Sequence, residues 1–540
     1  MFRLAPLLAL PLLVLALGQA AFHVVAVRPD AASLDPAASL HVHLSEPLTP
    51  ASLTRETVRL LDEHGQPVEC TFVADLGSVL TVTPAELLRA KSAYTLELTA
   101  RLRSVGGATL VPHRAAVTTG EAVGPGRGVV RFRKERLDTF DGASAACVGP
   151  DGHLYAATFT GCLWRYRLDP ATGRSRQRET IASLPGRRIL GLAFDPDAPA
   201  DRLRLWMVHD GHAGEARPKM SFSGVLSRWD VPAGDGKATE TPVVVGFPVG
   251  AHPLSSPVFG PDGRLYLCQA AVTMAGASTD DWAETPLSAS ILAVDVRRLE
   301  RAGGPPLDVR TGPPGHYDPA AADAPVRVYA HGVREAFDLC WHSNGNCYAA
   351  TTMNDTPSWT PSREGVPALF QAQPDEALLR LKPGVYYGFP NPALGRHVLL
   401  GGNPTAGKDP WEVAAYPVGV RPEADFQPGF LLYNLAAVGG DSANGCVEYR
   451  RPGPWRGRLL VCFYATRRAI GSFAFSRDGG RVVDFQTVRD RLGREVQFAS
   501  PLDIATDAAG RLYVADFSAD GKYDSGKDGG LWLLTPIDAP

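Results

Sequence analysis

The sequence predicts an all-β protein, a six-bladed β-propeller preceded by a β-sandwich. Three observations predict it. Glycine (55) and proline (46) are both abundant among the 540 residues, which favours turns and short strands over long helices. Residues 22 to about 120 alternate apolar and polar positions between turn residues, the pattern of half-buried strands. Beyond a Gly/Pro stretch, a unit of apolar strand, polar turn and apolar strand recurs six times, as expected of six sheets around an axis. A chain of this length also exceeds one ordinary core.

In chain order, Arg3 followed by the apolar run Leu4–Leu17 and the small residues around Gly18-Gln19-Ala20 reads as an export signal over residues 1–20. The run is shorter than the ~20 residues that span a bilayer, and no other stretch reads as transmembrane. Residues 21–120 carry the alternating segments SLHVHL, TVRLL, VLTV and YTLELTARL, which belong in a sandwich. The stretch SEPLTPASLTRETVRLLDEHGQPV, with YTLELTARLRS and a closing VTTG, resembles the bacterial Ig-like domains of exported proteins. That resemblance implies a spacer or adhesion module, with a surface or protein contact, and no chemistry. His41 and His43 share a strand face, but no third metal ligand accompanies them.

Residues 121–128 (EAVGPGRG) form a linker. Residues 129–540 then hold the repeat: CVGPDGHLYAA, LAFDPDAPADRLRLWMV, FGPDGRLYLC, LCWHSNGNCYAA, VEYRRPGPWRGRLLVCF and IATDAAGRLYVAD. Each is followed by a further short strand. Two insertions, residues 269–290 and 385–445, exceed ordinary connections and are candidate site-forming loops.

The net charge of −3 offers no basic footprint, which excludes nucleic acid as an expected partner. Export permits disulfides. Among the eight cysteines, Cys340 with Cys347 and Cys446 with Cys462 are candidate pairs across hairpins. Buried thiols are the equal alternative. No CxxC, nucleophile elbow, P-loop, HExxH or dinucleotide glycine pattern occurs.

Four stretches, HPLSSPVFGPDGRLY, AHGVREAFDLCWHSNGNCYAA, PDEALLRLKPGVYYGFPNP and DSANGCVEYRRPGPWRGRLLV, resemble the glucose/sorbosone dehydrogenase family over roughly residues 130–536. The resemblance implies a six-bladed propeller that oxidises an aldose at C1, using pyrroloquinoline quinone (PQQ) and calcium. It also implies a histidine upstream of the third hairpin as general base, and His252 stands there. A neutral imidazole suits proton abstraction near neutral pH. The family's quinone-binding arginine is matched by Arg334, whose planar fork of donors suits that task. Arg467, with Arg468 as competitor, stands where a cofactor-binding lysine belongs. The loop after the fourth hairpin, Thr352-Met353-Asn354-Asp355, stands where calcium is held, and Asn354 and Asp355 offer hard oxygen ligands.

The chain departs from the family's pattern at several points. Leu254-Ser255 replaces Gly-Gly after the base, and Glu335 replaces the asparagine after Arg334. A carboxylate there repels an anionic cofactor unless it is paired. Phe337 stands at the next polar position. The late arginines are absent from Phe498–Asp503, with Arg494 as a displaced substitute. A non-catalytic propeller binding carbohydrate or protein at the same face is therefore the rival reading, and a hydrolase using Asp375 and Glu376 a third. Asp516, Asp520, Asp524 and Asp528 recur every four residues, but their spacing fits a solvated turn better than a calcium loop. His209 and His212 form a further candidate metal pair.

Overall fold

The computed structural model describes residues 21–28, 34, 36, 40–75, 79–85, 88–120, 128–175, 177–198, 202–211, 220–232, 234–250, 252–273, 284–312, 315–353, 358–359, 369–370, 376–389, 391–394, 431–440, 442–518 and 529–537. The expected export signal and most of the linker lie outside these, as do His212, Asn354, Asp355, Asp375, Asp520, Asp524 and Asp528. The chain forms two compact units. One takes residues up to 32, 40–85 and 93–118; the other takes 119–540 with the short stretches 33–39 and 86–92.

The first unit holds two four-stranded sheets. One orders Val24–Arg28, Leu40–Leu44, Val79–Pro84 and Cys70–Asp75; the other orders Pro67–Val68, Val58–Leu61, Ala93–Leu98 and His113–Thr118. Alternation decides which side chains meet. Leu40 and Val42 stand opposite Val82 and Leu80, Val58 and Leu60 opposite Leu98 and Leu96, and all eight are buried.

Among the described residues the second unit holds six sheets of four or five strands and a two-stranded pair, Ser358–Trp359 with Leu369–Phe370. The first strands of the six sheets are Ala143–Val148, Arg188–Phe194, Leu254–Phe259, Leu339–Trp341, Ala443–Tyr449 and Pro501–Thr506. Each touches the next, and the sixth touches the first. The sixth sheet is completed from the start of the unit: Phe132–Thr139 pairs antiparallel with Gly530–Pro536. Two distant ends of this unit are thus held in one sheet.

The repeated hairpin has a physical cause. In GPDGHLY the turn residue Asp151 accepts a hydrogen bond from the His153 backbone N–H (3.1 Å) and another from the Tyr155 hydroxyl (2.9 Å). In GPDGRLY, Asp262 does the same for Arg264 (3.1 Å) and Tyr266 (2.9 Å). Asn344 plays this part in the fourth sheet, receiving the Asn346 N–H at 3.1 Å and donating to Tyr348 at 2.8 Å. The glycine of each turn, Gly152, Gly263 and Gly345, has φ between 72° and 79°, a conformation only glycine adopts freely.

Polar contacts lace the first strands together. Gly191 lets the backbone of Ser256 approach to 2.6 Å from where a Cβ would stand. Ser256 donates to Asp338 Oδ1, and Asp338 Oδ2 accepts the Cys446 N–H at 2.9 Å. Gly445 lies against Asp503, and Asp503 Oδ2 accepts the Ala146 N–H at 2.8 Å. These contacts run from the second sheet through the sixth to the first.

The cysteine pairs do not form. Cys340 stands opposite Tyr348, one residue past Cys347, and Cys446 stands opposite Val461, one residue before Cys462. A one-residue offset puts two side chains on opposite faces of a hairpin. All eight cysteines are free, and burial pushes the thiols of Cys340, Cys347, Cys446 and Cys462 well up. A thiol titration of denatured, unreduced protein is expected to find all eight. A shortfall of four would restore both bridges.

In the second sheet Arg188 donates to Asp210 through Nε (2.9 Å) and Nη2 (2.7 Å), and both side chains are buried. Removing one partner strands the other charge away from water. Arg188→Ala is expected to destabilise by about 3 kcal/mol, measured by urea unfolding.

Candidate functional site

Each candidate residue sits where a first strand begins or where a connection returns to that same end. His252 lies just before Leu254, which pairs with Gln269, so the 270–289 connection leaves from the same place. Arg334 and Glu335 precede the strand Leu339–Trp341. Their backbone is pinned on both sides: Arg334 C=O accepts from Ala271 N–H (2.7 Å), and Glu335 C=O accepts from Thr352 N–H (2.9 Å). Thr352 ends its strand, and the expected calcium ligands Asn354 and Asp355 lie outside the described residues.

The structure brings three of the candidates into contact. His252 Nδ1 is 2.9 Å from Glu335 Oε1. Arg334 Nη2 is 3.0 Å from His252 Nε2, and Arg334 Nη1 is 3.5 Å from Glu335 Oε2. The Arg334 side chain is fully buried, while those of His252 and Glu335 are 18% and 25% exposed. Burial opposes the ionisation of Glu335, but His252 and Arg334 outweigh it and hold the carboxyl below its ordinary range. The donor pattern fixes the tautomer. A carboxylate only accepts and a guanidinium only donates, so the ring form that satisfies both contacts carries its proton on Nδ1 and its lone pair on Nε2.

A local distortion supports this arrangement. The strand after His252 is bulged between Ser255 and Val258, and Ser256 has φ of 41°. Such a backbone costs on the order of 1 kcal/mol, and the Ser256 hydrogen bond to buried Asp338 offsets it. Asp338 is therefore engaged with Ser256, and Arg334 pairs with its neighbour Glu335 instead. The pairing across 83 residues had no local signal in the sequence beyond the proximity of Arg334 and Glu335.

The remaining candidates are placed differently. Arg467 donates to Glu495 through Nε (3.1 Å) and Nη2 (2.8 Å) and also reaches the Val438 carbonyl; it does not join the His252 cluster. Arg468 is exposed and donates to Ala465 C=O. Arg494 is exposed and pairs with Asp490 at 2.8 Å. Phe337 is buried in an apolar cluster. Glu376 is buried and accepts from Thr352 Oγ1 (3.1 Å) and Ser442 N–H (3.1 Å), so it ties the fourth sheet to the fifth. Asp516 is buried and accepts from Ala499 N–H, Ser500 N–H and Trp532 Nε1, which corrects its reading as a solvated turn. His209 has Nδ1 taken by Arg187 (2.6 Å) and Nε2 by Glu240 and Ser227 (2.9 Å each), so it has no nitrogen left for a metal. Among the described residues no group of three or more His, Cys, Asp or Glu side chains is placed to hold a metal, and no helix is long and apolar enough to cross a membrane.

Comparison with known proteins gives, first, a class for part of the chain: residues 18–118 match the family described as the bacterial Ig-like domain. No curated protein matches. Second come particular structures similar to the chain. A putative oxidoreductase (glucose dehydrogenase) from Thermus thermophilus is 20% identical, covering 75% of this chain and 99% of its own, with a TM-score of 0.46. A calcium structure of the Trichoderma reesei Carbohydrate-Active Enzymes family AA12 protein is 15% identical, covering 77% and 99%, with a TM-score of 0.49. The holo form of the pyranose dehydrogenase PQQ domain from Coprinopsis cinerea is 12% identical, covering 75% and 95%, with a TM-score of 0.48.

Proposed function

We propose that this chain is an exported oxidoreductase of the glucose/sorbosone dehydrogenase type, built as a six-bladed propeller behind an Ig-like spacer. It oxidises the C1 hydroxyl of an aldose. One observation carries the reading: His252 is held between the carboxylate of Glu335 and the guanidinium of Arg334, at 2.9 and 3.0 Å. His252 withdraws the hydroxyl proton onto Nε2. Glu335 fixes the tautomer and balances the imidazolium that forms, as an orienting carboxylate does.

The residues present suit a quinone cofactor. Arg334 offers a planar donor fork beside the base, and the charge of Glu335, which would otherwise repel an anion, is already paired with His252 and Arg334. Arg334 would hold the quinone, and the loop after Thr352, with Asn354 and Asp355, would take calcium. When bound, PQQ supplies the hydride acceptor.

The test is titration of the purified protein with PQQ and calcium, followed by dye reduction on aldoses. Spectral binding with sugar-dependent reduction is expected. The rival reading, a non-catalytic carbohydrate-binding propeller, draws on the Arg467–Glu495 pair, which takes up a cation that the cofactor would otherwise engage. Absence of PQQ binding at roughly 50 μM, with sugar binding retained, would select it.

A further inference from the structure

We propose that Arg334 is a latch on the base. In the resting protein its guanidinium holds the imidazole lone pair that proton abstraction requires, and an acceptor oxygen arriving at Arg334 releases it. This rests on the assignment of His252 as base. The lone pair of Nε2 faces Arg334 Nη2 at 3.0 Å, and Nδ1 is committed to Glu335. Neither ring nitrogen is open to a hydroxyl. A substrate approaching the partly exposed imidazole must therefore displace an ionised donor, which binds more tightly than a neutral one.

The fork geometry makes the release possible. Arginine has five N–H donors, so Arg334 can turn one of them from Nε2 to an incoming carbonyl or carboxylate oxygen while keeping Glu335 at Nη1. Only hydrogen bonds change in that exchange. The substrate O–H then breaks only with the acceptor in place, its proton passing to Nε2 and its charge balanced by Glu335. Sugar arriving without the acceptor meets a capped base. Arg334 is thus a positioning residue as well as a binding one.

Carbethoxylation by diethyl pyrocarbonate, mapped by mass spectrometry on the full chain without added cofactor, reads the latch directly. His64, 71% exposed, serves as the reference. Arg334→Met, which removes the donor, is expected to label at His252 about tenfold faster than wild type relative to His64, for the loss of one charge-assisted hydrogen bond. Arg334→Lys, which keeps a donor, is expected to stay protected. Equal His252 labelling in wild type and Arg334→Met overturns the latch. If Arg334→Met does not fold, nitrogen NMR of wild-type histidines decides: a neutral ring protonated on Nδ1 is expected at His252, and an Nε2–H tautomer overturns it. Addition of PQQ with calcium to wild type is expected to raise His252 labelling to the Arg334→Met level. If the variant is unmasked and PQQ has no effect, the latch stands and the cofactor reading fails.

Discussion

His252→Ala is expected to lower kcat for sugar-dependent dye reduction by about 10²–10⁴-fold, the range contributed by a positioned general base, with a much smaller change in KM. The fold should survive. His252 lies outside the strand that begins at Leu254, and its loss leaves Glu335 facing Arg334 at 3.5 Å, so no buried charge is stranded. Equal unfolding midpoints in urea would verify this. Glu335→Gln is the informative companion. A glutamine oxygen can still accept from Nδ1–H, so orientation is kept while the balancing charge is lost. A fall of roughly tenfold, the size of one charge-assisted hydrogen bond, would assign most of the Glu335 effect to charge. Undiminished turnover in His252→Ala would remove the base assignment altogether.

The strands were legible because their causes are local. Alternation sets the sandwich, and the Asp–Gly–x–Leu–Tyr hairpins carry their own side-chain caps at Asp151 and Asp262. The strand Phe132–Thr139 gave no such signal: its sequence FRKERLDT is mostly charged, and it lies last in its sheet, half-buried. Register was equally hidden, so the spacing of Cys340 with Cys347 suggested a bridge that a one-residue offset forbids. At the site, His252 and Arg334 were legible only as separate members of a resembling pattern. Their contact, and the rescue of Glu335 from a repulsive role, depend on two loops meeting across a sheet boundary. Asp503 read as one residue of a stretch that lacks arginines, yet it ties the sixth sheet to the first.

That residue and Asp338 yield the second large effect. Both are buried, Asp503 on the sixth first strand and Asp338 just before the fourth, on either side of the Gly445–Cys446 peptide: Asp503 against Gly445, Asp338 bonded to the Cys446 N–H. Burial raises both carboxyls, and the charge of Asp338 adds to the rise at Asp503; Asp338 is pushed up to about 6 and Asp503 to about 8. The buried thiols that feel this pair, Cys147, Cys268, Cys340, Cys347, Cys446 and Cys462, are all raised and so neutral at these pH values, and no cation is among the groups that shift either carboxyl. A carboxyl raised by folding binds its proton more tightly folded than unfolded. Its stabilisation is therefore complete below the ordinary value of 3.8 and is lost as pH rises through about 6 and about 8. Roughly 3 kcal/mol from Asp338 and roughly 6 kcal/mol from Asp503 are expected to disappear between pH 4 and pH 9. Asp503→Asn isolates the effect. Asp503 receives the N–H groups of Ala146 and Ile504, one on each oxygen, and an amide can accept only one of them. The variant should be less stable than wild type at pH 5 by about 1–3 kcal/mol, one buried donor left unsatisfied, and more stable at pH 9, where wild type must bury a second negative charge. Urea midpoints of the two proteins should cross between those limits. Parallel midpoints over the whole range would show that folding does not raise the Asp503 carboxyl.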